Sequence, residues 1–165
     1  MRYLFALISA LCITYTVNAQ IHIDLNFNIG SQPVWGPTGN DYVEYYYLPE
    51  IEVYYSVPLH RFYYYDGGRW IYASSLPPRY RGYDLYRSYK VVINEPRPWR
   101  RNEVYREKYY MYRDRHDQEV IRDSRDPKYF IIERHPEHSK WIKEHRDNGK
   151  HKSRYKEKRR DKDDD

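Results

Sequence analysis

The chain reads as mainly β: a small antiparallel sheet, a meander of about five strands, with a partly helical C-terminal extension and a disordered basic tail. Three observations predict this. Tyrosine makes up 22 of 165 residues and gathers in short runs, Tyr45-Tyr46-Tyr47, Tyr54-Tyr55 and Tyr63-Tyr64-Tyr65, a residue type that favours strands. Glycine and proline punctuate the segments between them. After Trp99 the composition turns to arginine, lysine and acid, and the period-two pattern stops.

The first residues are set apart from the fold. Arg2 is followed by an apolar run from Leu4 to Val17, the length of a signal-peptide core and short for a bilayer span. Val17-Asn18-Ala19 places small or medium apolar residues at the cleavage positions, so cleavage is expected after Ala19. An uncleaved anchor is the competing reading. Cys12 lies in this run, so the mature chain carries no cysteine and no thiol, disulfide or cysteine-held metal. The expected organisation is a signal peptide over 1–19, a Tyr-rich antiparallel β domain over 20–98, a helical extension over 99–147 and a disordered charged tail over 148–165. No transmembrane segment is expected in the mature chain, and the expected location is periplasmic or extracellular.

Along the β domain, Ile21, Ile23, Leu25 and Phe27 alternate with polar residues and predict a strand. Gly30 to Asn40 is loop, with Trp35 plugging it onto the sheet. Asp41 to Tyr47 is a strand ended by Leu48-Pro49. Glu50 to Val57 places Ile51, Val53, Tyr55 and Val57 on one face and Glu50, Glu52, Tyr54 and Ser56 on the other. Arg61–Tyr65 and Arg69–Ala73 flank Asp66-Gly67-Gly68 as a hairpin. A two-residue Gly67-Gly68 loop sets Tyr63 and Tyr65 on one face with Trp70 and Tyr72, and Phe62, Tyr64, Ile71 and Ala73 on the other. It also sets Asp66 opposite Arg69 as a charge pair. Tyr86 to Ile93 is the last strand, with Tyr89, Val91 and Ile93 on one side, and Glu95-Pro96-Arg97-Pro98 is a stiff domain edge.

Beyond it, Asn102 is placed to cap a helix running from Glu103 to about His116, with Tyr105, Tyr109, Tyr112 and His116 on one stripe. Pro136 to Arg146 predicts a short second helix, with His138, Trp141, Ile142 and His145 on one side. From Asn148 the chain is almost pure charge.

The leading candidate for function is a set of five aromatics, Tyr54, Tyr63, Tyr65, Trp70 and Tyr72. On an open face they form a platform on which sugar rings or peptides stack, since a ring face is apolar and a phenol or indole edge is polar. The opposing reading is burial under loops or under the Tyr105–Tyr112 helix, and it carries more weight in a small sheet that must manage both faces. Glu50 and Glu52 are compatible with a carboxylate hydrolase but read first as a solvated strand face. His135, His138, His145 and His151 match no metal-ligand spacing. No cofactor, catalytic residue or metal site is expected, because the chain has no phosphate-binding glycine loop, nucleophile elbow, dinucleotide fingerprint or Ca loop.

Charge adds a partner. Residues 20–98 hold 7 Lys+Arg and 8 Asp+Glu, whereas 138–165 hold 11 and 7, so the basicity sits in the tail. Tyr155 is the one aromatic of its Lys150 to Lys162 run, which argues against genomic nucleic acid and for anionic envelope polymers. The expected function is an exported, non-enzymatic cell-envelope or extracellular binding or structural protein. A carbohydrate-recognising module using the aromatic face is the alternative, and a hydrolase the minor one.

The ordered block Tyr45-Tyr46-Tyr47-Leu48-Pro49-Glu50-Ile51-Glu52-Val53-Tyr54-Tyr55, then Gly67-Gly68-Arg69-Trp70-Ile71 and Ser74-Ser75-Leu76-Pro77, resembles a group of small uncharacterised secreted or periplasmic bacterial proteins. The likeness spans about Val43 to Arg97. It implies Gram-negative export, and no functional residue carries over.

Overall fold

The computed structural model describes residues 28–145. The cleavage site, the expected Ile21–Phe27 strand and the tail from Asn148 lie outside the described residues. The described chain builds one five-stranded sheet that is antiparallel throughout: β1 (Tyr45–Leu48), β2 (Val53–Ser56), β3 (Arg61–Asp66), β4 (Arg69–Ala73) and β5 (Val91–Ile93). The first four strands run as a meander. β5 then crosses back to the free side of β1, giving the order β4-β3-β2-β1-β5.

Turn chemistry sets these strands. Gly67 and Gly68 both have positive φ, +55° and +81°, as a two-residue type I′ turn requires. The pairs Asp66↔Arg69, Tyr65↔Trp70, Tyr64↔Ile71 and Tyr63↔Tyr72 follow, in the expected register. The β1–β2 and β2–β3 hairpins have four-residue loops, Pro49–Glu52 and Val57–His60. Each loop ends on a residue with positive φ, Glu52 at +54° and His60 at +50°.

These loops shorten the expected strands. Glu50 and Glu52 leave β2 for the turn, so the long Glu50–Val57 strand is corrected to Val53–Ser56. Asp41 to Glu44 precede β1. Val43 there is held by the Asn28 side chain, whose Nδ2 donates to the Val43 carbonyl and whose Oδ1 accepts from its N–H. The last strand contracts to β5, because the Lys90 backbone turns to the Gln118 amide instead of to a strand. Asp66 also differs from expectation: its carboxylate accepts from Arg79 at 2.6 Å, not from Arg69.

Both faces of the sheet are packed. Tyr46, Leu48, Val53, Tyr55, Phe62 and Tyr64 form one, covered by Trp35 and by residues of 76–85. Tyr45, Tyr47, Tyr54 and Ile93 form the other, joined by Tyr63, Trp70 and Val91. All four residues of β1 and of β2 are consequently buried.

The second face is closed by the segment after the domain edge. A 3-10 turn, Pro98–Arg101, leads into α1 (Asn102–Lys108). The expected helix to His116 stops there. Tyr109 leaves helical geometry, and Tyr110–Tyr112 forms a 3-10 turn that carries Tyr112 onto Tyr89, with ring centres 4.6 Å apart and nearly parallel. Asn102 lies within α1 and does not cap it.

The extension also returns to the N-terminal loop. Ile121 and Arg122 donate their N–H groups to Gly36 and Val34 carbonyls at 2.8 Å, and Pro37 bridges Val120. Val34, Ile121, Tyr129 and Ile132 make a third apolar cluster. Residues 99–135 are therefore part of the same packed body as the sheet. The second helix, α2, spans 138–145. His138, Trp141 and His145 stack along it.

Candidate functional site

The aromatic face of β2, β3 and β4 is divided in two. Tyr54 is fully buried at its centre, and its hydroxyl donates to Asn102 Oδ1 at 2.8 Å. Burial raises its phenol pKa, as it does for Tyr47 beside it. Tyr63 lies under Trp99, ring on ring at 4.1 Å and 11°. Tyr105 and Tyr109 complete the cover over Tyr47, and Tyr105 also packs on Tyr54. Two of the five expected platform residues are thus corrected. Tyr54 is core, out of reach of any ligand, and Tyr63 has its face occupied by Trp99.

The other half is open. Tyr65 is 55% exposed and Tyr72 59%. Trp70 is half-buried, edge-on to Tyr54 and to Tyr65 with ring centres 5.6 Å apart in both pairs. It links core to surface: one edge packs inside and the remainder faces outward. One face of Tyr72 is taken by the Arg61 guanidinium, 4.9 Å from the ring centre.

Beside Trp70 and Tyr65 lies a groove of about 570 Å³, its far wall formed by Trp99 and the first turn of α1 with Arg100 and Arg106. Glu52 and Arg106 also line a second groove of about 530 Å³ that reaches Tyr110 and Arg113. The two adjoin at those shared side chains and are together called the trough. Trp70, Tyr65 and Trp99 line the first groove and Tyr110 the second, where Tyr110 is 65% exposed with Arg113 over its ring. Sequence reasoning did not find Trp99, Arg100, Arg106 or Tyr110. The signal available was the i, i+4 pair Tyr105/Tyr109, which implied that the chain after Trp99 docks on the aromatic face.

The acids do not meet. Glu52 is ion-paired to Arg113 and faces the trough. Glu50 lines a separate pocket with Tyr83, Asp84 and Ser88. The geometry that would set two carboxylates across one scissile bond is not formed by this pair. Among the histidines, His135 is buried and uses both ring nitrogens: Nδ1 accepts from the Glu137 N–H and Nε2 donates to the Ser124 carbonyl. His138 and His145 each hold a backbone carbonyl through Nδ1, and His151 lies outside the described residues. No group of three or more His, Cys, Asp or Glu side chains comes together to hold a metal among the described residues. No helix among them is long and apolar enough to cross a membrane.

Comparison with protein-family models, with curated proteins and with solved structures gives no match. The site is therefore read from its own geometry.

Proposed function

We propose that the mature chain is an exported, non-enzymatic binding protein of the cell envelope or extracellular space, and that its contact surface is the open half of the aromatic face. The observation that carries this is the pair Tyr65–Trp70: two large rings set edge to face at the rim of a groove, on a sheet whose other aromatics, Tyr72 apart, are buried or half-buried. Rings left at the surface of a well-packed sheet, with polar edges free, suit a partner with both apolar and hydroxyl surface.

The carbohydrate reading is favoured over a protein partner by the division of the trough into two adjoining grooves. Its two grooves, about 570 and about 530 Å³, each carry an aromatic, Trp70 with Tyr65 in one and Tyr110 in the other, and so offer successive sites to a polymer. The basic tail from Asn148 is a second, electrostatic attachment to anionic envelope polymers.

Retention of the mature chain on an insoluble glycan tests the surface. Trp70→Ala is expected to abolish retention, while Tyr46→Phe, which acts on the opposite face, leaves it intact. Equal retention of wild type and Trp70→Ala would remove this surface from the function. Cell fractionation with the tail after Asn148 deleted tests the attachment: release from the envelope is expected, and unchanged fractionation would eliminate that role.

A further inference from the structure

We propose that the free edge of β4 pairs with the same edge of a second copy, antiparallel about a two-fold axis at Ile71, joining the two sheets into one. The pairing does not depend on any ligand of the trough.

The register determines which backbone groups this edge offers. Residues that flank a two-residue hairpin loop form a hydrogen-bonded pair, and bonded and non-bonded pairs then alternate along the ladder. Asp66↔Arg69, Tyr64↔Ile71 and Phe62↔Ala73 are the bonded pairs, with Tyr65↔Trp70 and Tyr63↔Tyr72 between them. Trp70 and Tyr72 therefore turn their N–H and C=O groups away from β3. β4 is the last strand in the sheet order, and no loop or turn takes up these groups among the described residues. Arg69–Ala73 holds no proline, no lysine and no bulge, the devices that ordinarily keep an edge from pairing. The opposite edge is closed by the protein itself. β5 has only 3 residues, and the Gln118 amide bonds both backbone groups of Lys90 beside it.

An unpaired row of this kind takes up a strand, and symmetry and charge select the second copy. The outward groups at Trp70 and Tyr72 are placed symmetrically about Ile71. A two-fold antiparallel pairing sets Trp70 against Tyr72 of the second copy, and Tyr72 against its Trp70, each pair exchanging both N–H···O bonds. Every outward backbone group of the two residues is then used. On one face the half-buried Ile71 meets its own copy beside the first apolar cluster. On the other, Trp70 and Tyr72 form aromatic cross-strand pairs. Arg69 falls opposite Ala73, so the guanidinium groups stand apart, whereas a parallel in-register pairing would set Arg69 beside Arg69. Strands of 5 residues make a small interface, so association depends on concentration.

Sedimentation of the full mature chain is expected to show a mass rising toward twice the monomer's with concentration. Tyr72→Pro removes an outward N–H and no bond to β3, and is expected to stay monomeric. Single cysteines report the register, because Cys12 lies in the expected signal peptide and is the only cysteine of the chain. Across the axis the Ile71 Cα atoms stand about 4.5 Å apart, within disulfide reach, and those of Ala73 about 13 Å. Ile71→Cys is expected to form a covalent dimer under mild oxidation, and Ala73→Cys is not. A wild-type chain that remains monomeric up to about 1 mM, with no cross-link through Ile71→Cys, overturns the pairing. Equal cross-linking of the two cysteine variants overturns the two-fold register. A dimer that persists in Tyr72→Pro places the interface elsewhere. A dimer lost in Ile23→Pro puts the N-terminal segment on the edge in place of β4, and overturns the pairing of like strands.

Discussion

Trp99 lies flat on Tyr63, 4.1 Å between ring centres and 11° between planes, and this stack is where the extension closes the sheet. Trp99 also meets the Tyr45 ring edge-on. Its removal opens the second apolar cluster to water. Trp99→Ala is expected to destabilise the fold by about 2–4 kcal/mol. Trp70→Ala, at the open rim, is expected to cost about half as much. Denaturant unfolding of the two variants gives the comparison, and equal losses would contradict the role of Trp99 as the residue that closes the sheet.

On the opposite face, the buried Tyr46 hydroxyl donates to Gln32 Oε1 at 2.8 Å and fixes the N-terminal loop to β1. Tyr46→Phe leaves that oxygen unpaired and is expected to cost about 1–3 kcal/mol. Gly36 sits against the same ring: a Cβ there would stand 2.6 Å from the Tyr46 hydroxyl oxygen and 3.0 Å from the Pro33 carbonyl oxygen. Gly36→Ala is expected to lower the melting temperature even though alanine restricts the unfolded chain, whereas Gly30→Ala, with open space, is not.

The Gly67-Gly68 turn makes a cleaner prediction. Both positions have positive φ, and asparagine is the best non-glycine residue at the first position of a type I′ turn. Gly67→Asn is expected to keep or slightly raise stability. Gly68→Val is expected to lose about 1–2 kcal/mol, because a branched side chain resists that φ. Thermal melts of the pair check this.

Stability should pass through a maximum at mildly alkaline pH. Burial drags the Lys90 ammonium down to about 8 from its ordinary 10.5, and its Nζ donates to the Leu85 carbonyl at 2.6 Å. Between those two values the unfolded chain holds a proton that the folded chain has released, so stability rises with pH. Tyrosine acts in the other direction. Burial raises the phenols of Tyr46, Tyr47 and Tyr54 above their ordinary 10.0, so the fold keeps protons that the unfolded chain gives up, and stability falls as pH climbs past 10. Denaturant midpoints measured from pH 7 to 11 trace both limbs. Lys90→Met is expected to flatten the rising limb and raise neutral-pH stability by about 1–2 kcal/mol.

Much of this could be read before the structure because it depends on local chemistry. Two glycines beside a tyrosine run fix a turn, the turn fixes parity, and parity placed Tyr63 and Tyr65 with Trp70 and Tyr72, where they are found. The Tyr105/Tyr109 stripe identified what covers Tyr54. What was illegible is what depends on pairs distant in sequence. Val34, Ile121, Tyr129 and Ile132 join a loop to a charged stretch, from short apolar groups such as Val120-Ile121 and Tyr129 to Ile132 that have no period to say what they pack on. Lys90 is buried because 85–90 folds over it, which a lysine code cannot announce. The platform was overdrawn for the same reason. Parity says which rings share a face, but only the position of Trp99 says where along that face the cover ends.

Hydroxyl-radical footprinting of the folded chain, read residue by residue by mass spectrometry, tests the division of the aromatic face most directly. Tyr65 and Tyr72 should be oxidised rapidly and Trp70 at an intermediate rate, while Tyr47 and Tyr54 on the same face stay protected until the protein unfolds. Comparable rates for Tyr54 and Tyr65 would contradict the division, and with it the binding surface built on its open half.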